Sequence, residues 1–63
     1  MDKKKLIINY LKREKQAPTS KIGIFISANY YTVEFLLKEM EKEGFVKSEL
    51  TKKGVIWRLK WVT

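Results

Sequence analysis

The chain has 63 residues, of which 14 are lysine or arginine and 7 are aspartate or glutamate, so its net charge at pH 7 is +7. It lacks both cysteine and histidine, which excludes disulfides, zinc sites of the usual kind and Cys/His nucleophile pairs. The length predicts a single domain over residues 1–63, and we expect no cofactor and no enzymatic activity. Its apolar runs are too short for a membrane span or a signal peptide, so we expect a soluble cytoplasmic protein with no membrane partner.

The positive charge is concentrated at both ends of the sequence. Residues 1–21 carry seven basic and two acidic side chains, and residues 45–63 carry five basic and one acidic. Residues 30–44 between them carry two basic and four acidic side chains. Such asymmetry is typical of proteins that bind a polyanion, most often nucleic acid, although solubility alone would also explain it.

The first predicted element is a helix over residues 3–15. Apolar side chains recur in it with the helical period, at Leu6, Ile7, Tyr10 and Leu11. Ile8 widens the apolar arc to more than half of the helix circumference. A helix that packs against the core on one side only needs a narrower arc. Two interpretations stay open: Ile8 packs under an end of the chain, or it belongs to a surface for self-association.

A break and a short second helix follow. Pro18 biases the preceding Ala17 toward extended geometry, and this ends the first helix. Thr19 or Ser20 can then accept a hydrogen bond from the free N–H groups of a helix predicted over Ser20–Ile26.

The second helix is predicted to have one buried side. Ile22, Ile26 and Phe25 face the core in this prediction, whereas Ile24 points toward solvent. Glycine weakens a helix, so Gly23 is expected to permit the close approach of a neighbouring helix.

A third helix begins after Asn29, which is its predicted N-cap, and ends before Gly44 in the left-handed conformation. On a helical wheel its core face carries Val33, Leu36, Leu37 and Met40. The opposite face carries Tyr31, Phe35, Lys38 and Lys42.

The apolar period then changes to two, which predicts strands over Phe45–Leu50 and Val55–Val62. The turn between them, Thr51–Gly54, contains two lysines. The inner face of the second strand is predicted to carry Val55, Trp57, Leu59 and Trp61, because the other face carries arginine and lysine.

These elements and several short motifs resemble a winged helix-turn-helix DNA-binding domain, most closely the small MarR-like and ArsR-like regulators of bacteria and archaea. The resemblance implies an α+β fold of three helices followed by a two-stranded β-hairpin wing. It also implies a transcriptional regulator, and a homodimer would have to pair through helix 1, the strands or the chain ends. The motifs are Ile22-Gly23, Ile26-Ser27, Asn29, Thr32-Val33, Leu37, Met40-Glu41, Gly44-Phe45-Val46, Gly54 and Trp57-Arg58-Leu59.

Winged helices that bind Z-DNA are a subclass of similar size. Their recognition helix relies on an asparagine and a tyrosine one turn apart, and the corresponding places hold Glu34 and Lys38 here. Trp57 matches the tryptophan of their wing, but their wing prolines are missing. The sequence therefore disfavours membership of this subclass.

The winged-helix resemblance implies that helix 3 enters the major groove of double-stranded DNA, while the wing contacts the backbone or the minor groove. In the cell such a protein would be associated with the nucleoid. The candidate DNA-binding residues are Ser20 and Lys21 on helix 2, Tyr30, Tyr31, Thr32, Glu34, Phe35 and Lys38 on helix 3, and Lys52, Lys53 and Arg58 on the wing.

Some candidates on helix 3 have an expected role in base contact, and others have a structural alternative. Phe35 suits a thymine methyl and Lys38 suits guanine acceptors, whereas Glu34 is repelled by phosphate unless it meets a cytosine amino group. Tyr30 fits packing against helix 2 as well as it fits DNA contact, and Thr32 fits support of the helix start.

Two further functions compete with sequence-preferring DNA binding. Tyr31 and Phe35 would equally suit a protein-binding patch on an interaction module. Phosphate contacts alone would make the domain a non-specific architectural binder of DNA or RNA. Trp57 and Trp61 are expected in the core or at its edge, without a role in base stacking.

Overall fold

The computed structural model describes residues 2–60. Three helices followed by an antiparallel hairpin of β2 and β3 form the predicted winged helix-turn-helix, so the α+β fold class is confirmed. Within residues 2–60 every helix falls short of the length and apolar content needed to cross a bilayer. The elements are α1 (Lys3–Glu14), β1 (Gln16–Pro18), α2 (Thr19–Ile26), α3 (Tyr30–Lys42), β2 (Val46–Thr51) and β3 (Gly54–Leu59).

Strand β1 is an addition to the prediction, which treated its residues only as an extended break. The sheet order is β1-β3-β2, and β3 pairs antiparallel with both neighbours. Trp57 on β3 lies opposite Ala17 on one side and Ser48 on the other. Pro18 lies on an edge strand of this sheet, which is where proline is usually found in sheets.

The starts of α2 and α3 are stabilised differently. The Asn29 side chain accepts a hydrogen bond from the Thr32 N–H at 2.8 Å, which confirms the predicted N-cap of α3. The predicted cap of α2 at Thr19 or Ser20 is wrong, because Pro18 precedes the helix and no side chain caps its first turn. The hydroxyl of Thr19 instead accepts a hydrogen bond from the wing.

The core lies between the three helices and the inner face of the sheet. Each helix buries most of the apolar side that its periodicity predicts, and Leu36 and Ile8 pack against the margin of the core. The buried apolar residues are Ile7, Leu11, Ala17, Ile22, Ile26, Val33, Leu37, Met40, Val46, Trp57 and Leu59.

Two side chains predicted to face the core do not enter it. Phe25 is 42% exposed, and its ring packs on the surface of α1 against Tyr10, with 4.6 Å between the ring centroids. The Arg13 guanidinium lies 5.2 Å from the centroid of the Phe25 ring. Val55 is 40% exposed because it lies beside the turn of the wing. The prediction that the last strand continues past Leu59 is wrong at Lys60, which lies in a turn, while Trp61 and Val62 lie outside the described residues.

Gly23 confirms the predicted close approach between α2 and the start of α3. A Cβ atom at this position would lie 3.0 Å from the Ala28 carbonyl oxygen and 3.4 Å from Val33 Cγ2. Gly44 has φ of +88°, which confirms the left-handed residue after α3. These two glycines allow the chain to turn tightly before and after α3.

Candidate nucleic-acid interface

A groove of about 260 Å³ lies between α3 and the wing, and it is termed here the α3–wing groove. One wall is the side of α3 that faces the wing, and the other is the inner face of the hairpin. The lining residues are Tyr30, Glu34, Lys38 and Glu41 on α3, Ser48, Val55 and Trp57 on the wing, and Thr19 on α2.

Two side-chain links hold the wing against the helices. The indole N–H of Trp57 donates to the Thr19 hydroxyl at 2.8 Å, and both residues are buried. The Glu41 carboxylate accepts hydrogen bonds from Ser48, at 3.1 Å from its backbone N–H and 3.0 Å from its hydroxyl. Because these links join separate elements, they fix the position of the wing before any partner binds.

The predicted residues of α3 fall into two groups. Tyr30, Glu34 and Lys38 line the α3–wing groove. Tyr31 and Phe35 point away from it with 81% and 64% of their surface exposed, and they are termed the aromatic stripe. Lys38 lies at the boundary, since it also lines a shallow depression beside Phe35. The sequence predicts one outward face of Tyr31, Phe35 and Lys38 with Tyr30 and Glu34 on its margin, whereas the fold divides these five residues between two surfaces.

Tyr30 stands between α2 and the α3–wing groove. Its ring meets that of Tyr31 edge to face, with 6.1 Å between centroids and 86° between planes. It also lines a separate open cavity of about 420 Å³ together with Ser20 and Ile24 of α2. Half of the Tyr30 surface stays exposed beside α2, and both its packing against α2 and its contact with DNA stay predictions.

Ser20 and Lys21, the predicted residues of α2, are exposed in its first turn. Thr32 is half-buried at the start of α3, where its backbone N–H donates to the cap at Asn29. This bond uses the backbone of Thr32, so the role of its side chain stays a prediction, as do the contacts of Ser20 and Lys21 with DNA.

The wing places its basic residues in two different locations. Lys52 and Lys53 are exposed in the turn between β2 and β3, beyond the end of the α3–wing groove. The Thr51 hydroxyl orders this turn, because it accepts from the Lys53 N–H at 3.2 Å and donates to the Gly54 carbonyl at 2.7 Å.

Arg58 is not brought together with the other predicted residues. It alternates with the inward-facing Trp57 and Leu59 along β3, so its side chain lies on the outer face of the sheet. Its guanidinium is ion-paired with Glu49 on β2. Arg58 is thus engaged within the sheet and lies outside the α3–wing groove.

Sequence reasoning missed five contributors to this groove: Thr19, Glu41, Ser48, Val55 and Trp57, the last of which was expected only in the core or at its edge. The Thr19–Trp57 bond joins residues 38 positions apart, and the Glu41–Ser48 bonds cross from a helix to a strand. Periodicity within one element does not report such pairs. A buried threonine hydroxyl and a buried tryptophan N–H both need hydrogen-bond partners. This need was the only feature of the sequence that pointed to the Thr19–Trp57 bond.

Lysines lie at the wing turn, at the start of α2 and along α3, while two glutamates line the groove. Within residues 2–60 no cluster of three or more carboxylates could hold a metal ion.

No protein-family model matches the chain, and no curated protein matches its sequence. Among solved structures, it is similar to the crystal structure of the Zalpha domain from Carassius auratus PKZ in complex with Z-DNA. The TM-score is 0.83, the match covers 90% of each chain, and 21% of the residues are identical. At this identity the likeness establishes a shared winged-helix fold.

This structural neighbour does not support the finer resemblance to MarR-like and ArsR-like regulators. It belongs instead to the subclass that Glu34 and Lys38 disfavoured in the sequence. The likeness therefore concerns the backbone fold and says nothing of the residues on the third helix.

Proposed function

We propose that this winged helix binds double-stranded DNA and acts as a transcription regulator. The observation that carries the proposal is the convergence of Tyr30, Glu34 and Lys38 in one pre-formed groove beside the basic turn of the wing. The net charge of +7 favours a polyanionic partner. The complex of the structural neighbour with Z-DNA adds support at the level of nucleic-acid binding.

In the proposed complex α3 enters the major groove and the wing turn contacts the backbone or the minor groove. Ser20 and Lys21, in the exposed first turn of α2, would contact phosphate, because free N–H groups and the helix dipole favour an anion there. Lys52 and Lys53 are the corresponding phosphate contacts on the wing. Most of these contacts position the protein and carry little sequence information.

The form of the duplex is part of the proposal. We infer right-handed DNA, because Glu34 and Lys38 occupy the positions that hold the asparagine and tyrosine of the Z-DNA-binding subclass. The measurement is a comparison of two duplexes at equal salt, one of mixed sequence and one alternating CG duplex held in the left-handed form. Tighter binding to the left-handed duplex would overturn this inference while leaving DNA binding in place.

Salt dependence tests the electrostatic part of the proposal. If about six phosphates are neutralised, a plot of log binding constant against log salt should have a slope of roughly −5. Fluorescence anisotropy with a labelled duplex at several salt concentrations would provide this slope. Binding that does not change with salt would contradict the model.

The double variant Lys52→Ala, Lys53→Ala should weaken binding to all duplexes to a similar degree. It should also reduce the steepness of the salt slope by about 2, because each lost phosphate contact removes about 0.9. The matched control is Lys47→Ala with Lys60→Ala, which makes the same charge change. Lys47 lies opposite Arg58 on the outer face of the sheet. Equal losses in the two double variants would mean that binding responds to net charge and not to the wing turn.

A second candidate function rests on the aromatic stripe. Tyr31 and Phe35 are more exposed than folding requires, and such side chains also suit a protein partner. No binding to any nucleic acid at low salt would favour this interaction module. A mass measurement on the same sample would test whether the chain forms a homodimer, for which α1 and the strands are the candidate pairing surfaces.

A further inference from the structure

The α3–wing groove differs in charge from the rest of the molecule. In a chain with a net charge of +7, its charged lining residues are two glutamates and one lysine. The Glu41 carboxylate is engaged by Ser48 through two hydrogen bonds. A phosphate group entering this groove would therefore approach two carboxylates: that of Glu41, which is hydrogen-bonded to Ser48, and that of Glu34. Their negative charge disfavours a phosphate there.

Glu34 is half-buried and has no hydrogen-bond or ion-pair partner among residues 2–60. Lys38 follows one turn later on the same helix, a spacing that often gives an ion pair, yet the two side chains do not form one here. An ionised carboxylate only accepts hydrogen bonds, so a ligand for this position has to supply a donor.

Base edges in the major groove supply such donors, and phosphates do not. Cytosine presents an exocyclic N4 amino group, and adenine presents an N6 amino group next to the N7 acceptor. The N7 lone pair would oppose a carboxylate that approaches adenine, whereas cytosine has no acceptor beside its amino group on this edge. The partner guanine of cytosine offers O6 and N7, which accept from an ammonium group such as that of Lys38.

We propose that Glu34 is a specificity-determining residue that accepts a hydrogen bond from cytosine N4, with Lys38 contacting the guanine of the same or the next base pair. This inference rests on the proposed binding of duplex DNA and assigns the class of base that its groove reads. It makes the groove a site for a base edge, and it leaves the phosphate contacts to the wing turn and to α2.

The test is a selection of binding sites from a random duplex pool with four proteins: wild type, Glu34→Ala, Glu34→Gln and the control Glu43→Gln. Glu43 lies just after α3 and pairs with Lys4, outside the α3–wing groove. The control thus removes one negative charge without altering the groove. Circular dichroism during heating would verify that all four proteins are folded at the temperature of the selection.

The wild type and Glu43→Gln should enrich the same motif with one fixed cytosine. Glu34→Ala should lose discrimination at that position by about fivefold or more, the lower limit for one good base contact. Its affinity for unselected duplex should rise by a small factor, because a repulsive charge is gone. Glu34→Gln should shift the same position toward adenine, whose N6 and N7 suit an amide.

Two results would overturn the assignment of Glu34 while leaving duplex binding in place. One is an identical motif from all four proteins, which would mean that Glu34 contacts no base. The other is a uniform loss of affinity in Glu34→Ala with the motif unchanged, which would make Glu34 a structural residue. Failure of the wild type to bind any duplex at low salt would instead overturn the proposed function itself.

Discussion

The two faces of α3 differ in burial, because one packs in the core and the other lies in solvent. On the buried side, Val33, Leu37 and Met40 have no exposed surface at all. On the other side the aromatic stripe, Tyr31 and Phe35, has most of its surface in solvent. Core packing determines the residues on the buried side, because a change of side-chain volume in a close-packed core disturbs many neighbouring residues. Folding does not require the aromatic stripe, so a binding partner is the simplest reason for aromatic side chains there.

Leu37→Ala should produce the largest effect on the buried side. Leu37 is fully buried, and its truncation removes apolar contacts and leaves a cavity in a small core. We expect the free energy of unfolding to fall by about 3 kcal/mol, measured by urea denaturation. A loss of unfolding free energy below about 1 kcal/mol would mean that the core collapses into the space left by Leu37. The two sides of α3 would then differ less in their contribution to stability.

The link between α2 and the wing should give the next largest effect. Trp57→Phe removes the donor of the bond to Thr19 and leaves a buried hydroxyl without it, at a cost of about 2 kcal/mol in unfolding free energy. The variant Trp57→Phe, Thr19→Val removes both polar partners. It should recover part of the loss, because an apolar pair leaves no unsatisfied group. No recovery in this double-mutant cycle would show that the indole contributes through packing alone.

The sequence predicts the helices well, because each has an apolar period and recognisable ends. Asn29 and Gly44 mark the limits of α3 by their own conformational preferences, and both are confirmed. Strand β1 was not predictable in this way. Three residues are too few for a period of two, and only pairing with β3 makes Gln16–Pro18 a strand.

The candidate site was predicted only in part for the same reason. A helical wheel places Tyr31 and Phe35 on the outside, and their exposure confirms this. It does not show that Glu34 and Lys38 face the wing, because this depends on how the hairpin packs against α3. The wheel also cannot show that Arg58 is ion-paired with Glu49 across two strands.

Substitutions in the aromatic stripe should separate binding from stability. Tyr31→Ala and Phe35→Ala should each change the free energy of unfolding by no more than about 0.5 kcal/mol, because the side chains are exposed. Both should weaken DNA binding and reduce its sequence discrimination, as measured by anisotropy with a selected and an unselected duplex. Unchanged binding to both duplexes would assign the stripe to a different partner. A stability loss close to that of Leu37→Ala would contradict the contrast itself.

The smallest expected effect lies at the C-terminal end of α3, where Lys4 of α1 meets Glu39 at 2.8 Å and Glu43 at 3.3 Å. The hydrogen bond to Glu39, and then that to Glu43, hold the pKa of the Lys4 ammonium above its ordinary value of 10.5, although desolvation opposes them. Because the folded-state pKa is raised, the stabilisation is complete below pH 10.5 and is lost as the pH rises through the folded-state pKa.

The variant Lys4→Met keeps the apolar stem of the side chain and removes its charge. Its unfolding free energy should therefore be lower than that of the wild type by a small, constant deficit at lower pH, and this deficit should shrink above pH 10.5. Salt should reduce the deficit as well, because the three groups are partly exposed. A deficit that persists unchanged at high pH and high salt would assign the role of Lys4 to the packing of its stem between α1 and α3.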